Sequence, residues 1–386
     1  MLIGRCLDSE ERVDVEFRTS RRVLVCGKTG SGKSYTLGVL IEEFGYDANT
    51  ICLVVDPQGI YWTMGQPNIA QERDVYEWGL VPRGIRVNLL VPGNPVDRYG
   101  GQDVLEAITS RNVDVRELRV NPADLSEEMW CDLFGLSINE LQGARLFKSV
   151  RNCRRELGRD FLIPDIIRQV EVSDSLDTTK EALYRKLEMA LDWGIFQEVR
   201  YTELWEMFDY QGVNVLDLST VDQTRYGLRN LIVAVLARFL FRERTVARRR
   251  EELGMGSEMP KVCLIIDEAH NFCPAGKSTL SKEVLIRWAK EGRQPGLSLL
   301  VASQQPGAID SEILTQCDLT IVHKLTNRED RRAISALSED YVNDRVHTEI
   351  TKLSNIGQAI MVDDNRESVQ TISVRPRLSQ HGGGSR

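Results

Sequence analysis

Long apolar stretches are missing from this 386-residue sequence. The longest, Leu231 to Ala237, has seven residues, against about 20 for a membrane span. The opening Met1–Asp8 also lacks the apolar core of a secretory signal. Metal-ligand spacing is absent: no Cys-x-x-Cys occurs among the eight cysteines, and the four histidines stand at no zinc-site spacing. Several cysteines sit inside apolar runs such as Val262-Cys263-Leu264, where a thiol acts as a small buried hydrophobe. An excess of positive charge is missing as well. A formal charge of −8 argues against indiscriminate coating of nucleic acid, while leaving room for a local basic surface. Repeats and low-complexity segments do not occur. What remains is a chain 42% hydrophobic and 27% charged, an ordinary balance for a globular protein with a sizeable core. A cytoplasmic protein without membrane contact is expected.

Short, continuous apolar runs bounded by turns dominate both ends of the chain. Arg22–Cys26, Ile51–Val55, Val213–Asp217, Val262–Ile266, Ser298–Ala302 and Leu319–Val322 read as buried strands, and Ser34–Phe44 as a helix. Runs of this kind alternating with helices predict an α/β fold, a mainly parallel sheet covered on both faces. The stretch 101–211 has a different texture. Ser137–Glu140 and Thr178–Glu181 have capping-box form, and Leu183, Leu187, Ala190 and Leu191 make a helical stripe. The reading is a helical insertion over 101–211 between two parts of one core, 1–100 and 212–379, with a flexible tail over 380–386. Leu228, Leu231, Ile232, Val235, Leu236 and Phe239 make a core-facing helix. Its basic end, Arg242–Arg250, reads as a solvated helix terminus or as a nucleic-acid contact.

Gly27-Lys28-Thr29-Gly30-Ser31-Gly32-Lys33-Ser34 meets every position of the phosphate-loop pattern and runs from an expected strand into an expected helix. Glycines let backbone N–H groups curl around phosphates, and the helix N-terminus adds positive potential. Lys33 then reaches the β- and γ-phosphates and Ser34 ligates Mg²⁺, with Tyr35 beside them. The second half of such a site is an acid at the end of another buried strand. Asp267 and Glu268 follow Val262–Ile266, Asp267 for the Mg²⁺ shell and Glu268 to orient and deprotonate the attacking water. ATP with Mg²⁺ is therefore the expected ligand, and hydrolysis the expected reaction. No base-reading Asn/Thr-Lys-x-Asp motif of a GTPase occurs, and no Leu-Ser-Gly-Gly-Gln of a transporter ATPase.

Taken in order, Val25–Tyr35, Val55–Tyr61, Ile266–His270, Lys290–Gly296, Ala302–Pro306 and the closing Val374–Gly383 resemble the HerA/FtsK superfamily of ring-forming DNA-translocating ATPases, nearest to its HerA branch. That resemblance implies a RecA-like core, a hexameric ring and double-stranded DNA as the partner. It implies Gln304 as the γ-phosphate sensor and Arg293 as a finger entering a neighbour's site. It implies pore contacts from the loop after the acids, where Lys277, Ser278 and Lys282 stand. Asp56 would lie beside the phosphate loop, or simply build the turn Asp56–Gly59. HerA proteins carry a β-barrel ahead of this loop that engages a nuclease. The 26 residues before Gly27 suffice for a small hairpin over Arg5–Phe17, so the partner is a nuclease or another effector docking elsewhere. Two readings follow: a motor that translocates or unwinds DNA, and an ATP-switched scaffold that activates an effector.

Overall fold

The apolar runs become the middle of one twisted sheet. The computed structural model describes residues 1–17, 19–198, 204–222, 227–256, 259–335, 349–350, 352–353 and 355–383. Its strands are β1 (Leu2–Cys6), β2 (Arg12–Asp14), β3 (Arg22–Cys26), β4 (Thr50–Asp56), β5 (Val87–Pro92) and β6 (Val113–Leu118). They continue with β7 (Val213–Asp217), β8 (Lys261–Ile266), β9 (Leu297–Ser303), β10 (Leu319–Val322), β11 (Gln358–Asp363) and β12 (Ser368–Val374). All twelve form one sheet in the order β2-β1-β12-β11-β10-β3-β9-β8-β4-β7-β5-β6. From β10 to β6 every pairing is parallel. The β11, β12, β1 and β2 edge is antiparallel. This is the expected mainly parallel RecA-like sheet.

Both faces are buried, which is why the central strands read as unbroken apolar runs rather than alternating ones. Val23, Val25, Cys52, Val54, Val213 and Val215 face one core with α1 (Lys33–Gly45), whose Leu37, Leu40, Ile41 and Phe44 pack there. Leu24, Cys26, Leu53, Val55, Leu264 and Ile266 face the other. Short helices follow at the sheet margins: α2 (Glu72–Glu77), α3 (Pro95–Tyr99) and α4 (Gln102–Thr109). The second core is roofed by α5 (Glu127–Leu133), α6 (Leu141–Leu157), α7 (Ile163–Glu171) and α8 (Asp177–Asp192). The long α9 (Leu228–Glu252) and α10 (Lys282–Glu291) complete that roof, with α11 (Ser311–Leu314) and α12 (Arg328–Ser335) beyond them. Trp130 of α5 is fully buried and stacks on Phe196 at 5.4 Å.

Three details differ from expectation. The stretch 101–211 is not wholly helical, because β6 pairs in parallel with β5 and forms the sheet edge. The capping boxes do not open helices: α6 begins after Glu140, and Thr178 lies inside the first turn of α8. The working caps are Ser126, whose hydroxyl accepts from the Met129 N–H at 3.2 Å, and Asp165, which accepts from the Leu162 N–H. The tail from Gln380 is tied down as far as it is described: the Gln380 N–H donates to Gln66 O and its carbonyl accepts from Thr63 Oγ1. Residues 384–386 lie outside the described residues. Among the described residues, no helix is long and apolar enough to cross a membrane.

Candidate active site

Four neighbouring strands deliver the site. In the sheet order β3-β9-β8-β4, the phosphate loop leaves β3, Gln304 follows β9, Asp267 and Glu268 follow β8, and Asp56 ends β4. Because the strands are parallel, all four ends open on one edge. Because β9 lies between β3 and β8, its end falls between loop and acids.

The loop turns through Gly30 (φ 75°) and Gly32 (φ 106°), backbone that side chains with a Cβ rarely adopt. Beneath it, a Cβ on Gly27 would come within 2.6 Å of His323 Cβ. Lys33 opens α1 and is almost fully buried. Its ammonium pairs with Asp267 and lies 3.1 Å from Glu268 Oε1. Ser34 Oγ is 3.4 Å from Asp267 Oδ2, and the Tyr61 hydroxyl donates to the same oxygen at 2.9 Å.

Glu268 is buried, and it is one of few non-glycine residues at positive φ (49°). That left-handed turn costs about 1–2 kcal/mol. Gln304 holds the resulting position: its Nε2 donates to Glu268 Oε1 at 2.7 Å, and its Oε1 accepts from the Thr29 hydroxyl of the phosphate loop. The other oxygen, Glu268 Oε2, makes no hydrogen bond among the described residues. It lies 3.5 Å from His270 Nδ1, which in turn is 3.0 Å from Ser303 Oγ.

Asp56 is fully buried and accepts from four backbone N–H groups, those of Gln58, Gly59, Ile60 and Tyr61, at 2.7–3.1 Å. Burial pushes its carboxyl up to about 7, with Asp217 and Asp267 adding to the rise against those hydrogen bonds. Asp56 thus builds the turn that carries Tyr61 to Asp267. Burial acts on His323 in the opposite direction, taking it down to about 4 and leaving it neutral. Its Nδ1 donates to Gln358 O at 2.9 Å, so Nε2 accepts from Thr36 Oγ1 of α1.

The structure therefore brings together the loop, Lys33, Ser34, Asp267, Glu268 and Gln304. It does not bring Arg293 to them. Arg293 precedes β9, whose seven residues put about 23 Å of strand between its near end and the Gln304 end. It is exposed, with Asp318 3.9 Å away. Of the residues expected at a pore, Lys277 and Ser278 are exposed, but Lys282 is not available. Its ammonium donates to Pro274 O and Lys277 O and pairs with Asp310 at 2.6 Å, tying the loop together. In the basic end of α9, Arg244 pairs with Glu251 and Arg248 with Glu251 and Glu252, whereas Arg249 and Arg250 are exposed. Tyr61, His270 and His323 escaped sequence reasoning. Only the neighbourhood of the first two was marked, by the motifs Val55–Tyr61 and Ile266–His270.

The family model described as the central domain of helicase HerA matches residues 1–240, more than half of the chain. The chain belongs to the HerA central-domain family. A probable helicase of Methanocaldococcus jannaschii is 26% identical over 377 residues, covering 92% of this chain and 62% of that protein. The DNA double-strand break repair helicase HerA of Pyrococcus furiosus is 24% identical over 400 residues, covering 90% of this chain and 65% of its own. The HerA-family chain described here thus spans less than two thirds of these relatives. Among solved structures, VirB4 of Thermoanaerobacter pseudethanolicus superposes with a TM-score of 0.62 over 97% of this chain and 96% of its own, at 14% identity. A bacterial conjugative coupling protein, TrwB, gives 0.50 over 95% and 87% of the two chains, at 13% identity. Such likenesses establish the shared fold.

Proposed function

We propose that this chain is the ATP-hydrolysing motor of a ring that moves double-stranded DNA. The observation that carries the reading is the cluster of buried Lys33, Asp267 and Glu268 with half-buried Gln304, gathered where adjacent strands end. Lys33 supplies fixed positive charge where the β- and γ-phosphates lie, and the loop's backbone N–H groups surround them. Glu268 takes a proton from the water that attacks the γ-phosphorus, the bond to the bridging oxygen breaks, and ADP and phosphate leave. Gln304 bridges Glu268 and Thr29, so it registers the γ-phosphate at both.

Ser34 and Asp267 fit Mg²⁺. Both offer hard oxygen donors close together at the mouth of the loop, and two protein ligands beside phosphates and water are what this ion ordinarily takes. When bound it would neutralise charge developing on the phosphate oxygens. Arg293 is too far from its own loop to serve it; serving a neighbour's loop would call for a closed ring, here read as a hexamer. Relatives named as DNA double-strand break repair helicases support DNA as the load. Segments 1–100 and 212–379 would form the motor core, with α5–α8 as the inserted roof.

The test is nucleotide binding and steady-state turnover in Glu268→Gln. Binding should persist while turnover falls at least about 100-fold, the usual scale for loss of a general base. Turnover near the wild-type rate would remove Glu268 from the reaction.

A further inference from the structure

The cavity over the phosphate loop, about 630 Å³, continues past the loop to an end walled by Tyr35, Gln71, Trp78, Pro376 and His381. Of those residues only Tyr35 adjoins the phosphate loop in sequence. What builds this end is the segment after β12. Arg375 is buried against Glu42 (2.7 Å) and Glu43 (2.9 Å) and donates through Nε to Leu2 O. Arg377 is fully buried and donates to Ser379 Oγ (3.1 Å) and Gln380 O (3.0 Å). Glu42 Oε1 accepts from both the N–H and the hydroxyl of Ser379. The Arg377 N–H donates to the Tyr35 hydroxyl at 2.7 Å. Burying a guanidinium is costly unless its partners are well placed. So many buried charged contacts mark a segment whose position matters.

The contact at its far end says for what. Arg377 Nη1 lies 3.0 Å from His381 Nδ1. A guanidinium can only donate, so Nδ1 accepts and the imidazole proton sits on Nε2. Burial, with the Arg377 charge, takes His381 down to about 4, leaving it neutral near pH 7. Among the described residues no hydrogen bond engages Nε2. His381 also stands edge-on to Tyr35 at 5.5 Å between ring centres. The Trp78 indole, with the Arg5 guanidinium 4.3 Å over it, supplies an aromatic wall of the same cavity. A neutral N–H donor and flat aromatic surface in the same cavity as the phosphate loop suit a nucleobase and its ribose.

We propose that the strap Arg375–Gly383 and Trp78 form the nucleoside end of the site, with His381 Nε2 donating to an acceptor on the base or ribose. This rests on reading the phosphate loop as a triphosphate site, and the test separates the two. Equilibrium binding of ATP and of inorganic tripolyphosphate, which has no nucleoside, is measured on the full chain with Mg²⁺ present. His381→Ala and Trp78→Ala should each weaken ATP by about tenfold or more and leave tripolyphosphate within about twofold. His381→Gln, which keeps a donor near Nε2, should recover most of the loss. Unchanged ATP affinity, or equal loss of both ligands, overturns the proposal. Wild-type protein that binds neither ligand, or Lys33→Ala that binds both as wild type does, overturns the underlying reading as well.

Discussion

Glu268 places the heaviest demand on one side chain: a buried carboxylate in a left-handed turn, held by Gln304 and Lys33. Gln304→Ala would release it from both the strand and the loop. Turnover should fall about 10- to 100-fold with nucleotide affinity little changed, a split that steady-state kinetics and direct binding together would read. His323 makes a prediction of another kind. It is neutral in the folded protein down to about pH 4, whereas an unfolded histidine titrates near 6.5. Between those values the unfolded chain binds the extra proton, so stability contributed above about pH 6.5 is lost as pH falls toward 4. The full effect is about 3 kcal/mol. Urea midpoints measured across that window should slope less steeply in His323→Gln than in wild type.

Among elements, the strands with unbroken apolar runs were legible in the sequence almost to the residue, since burial on both faces leaves one period-free signature. The β3 and β10 ends fall at Cys26 and Val322 as expected. The β1–β2 edge was expected as a small hairpin and pairs as one, but the opposite edge strand was not legible. In β6, Asp114 and Glu117 are exposed and Val115 and Arg116 half-exposed, so the strand lacks an apolar run and was absorbed into its helical surroundings. The phosphate loop and the acids were readable because their chemistry is local. Asp56's turn was one of the two readings offered, because its four hydrogen bonds are local; Gln304's bridge from Thr29 to Glu268 depends on which strands lie side by side, and no single segment reveals that.

The strap makes its own prediction. A Cβ on Gly38 of α1 would come within 2.6 Å of the Arg377 guanidinium. Alanine is the better helix former by about 1 kcal/mol, yet overpacking a buried site costs about 1–3 kcal/mol. The Gly38→Ala protein should therefore melt at a lower temperature than wild type, and a raised melting point would show that the strap yields easily. The Lys282–Asp310 pair clamps the loop that carries Lys277 and Ser278. Breaking it with Lys282→Ala should leave basal hydrolysis intact and reduce any stimulation by DNA.

At the scale of the whole molecule, the question is whether one chain contains a complete site. Arg293 stands at the opposite end of β9 from Gln304, exposed at the sheet margin. If it serves a neighbour, Lys33→Ala and Arg293→Ala proteins should each be inactive alone. Mixed before assembly, they should regain part of the wild-type rate, because some interfaces then pair an intact loop with an intact arginine. A mixture as inactive as its components would place Arg293 outside the chemistry. The overall charge of −8 further requires that any grip on DNA be local, through exposed loops such as that of Lys277 and Ser278, and not a property of the whole surface.

Steady-state ATP hydrolysis with and without double-stranded DNA, at low and high salt, tests this account most directly. A motor gripping phosphates predicts stimulation by DNA of any sequence that fades as salt rises. Hydrolysis indifferent to DNA at both salt concentrations would contradict it and favour an ATP-switched scaffold acting on a protein effector.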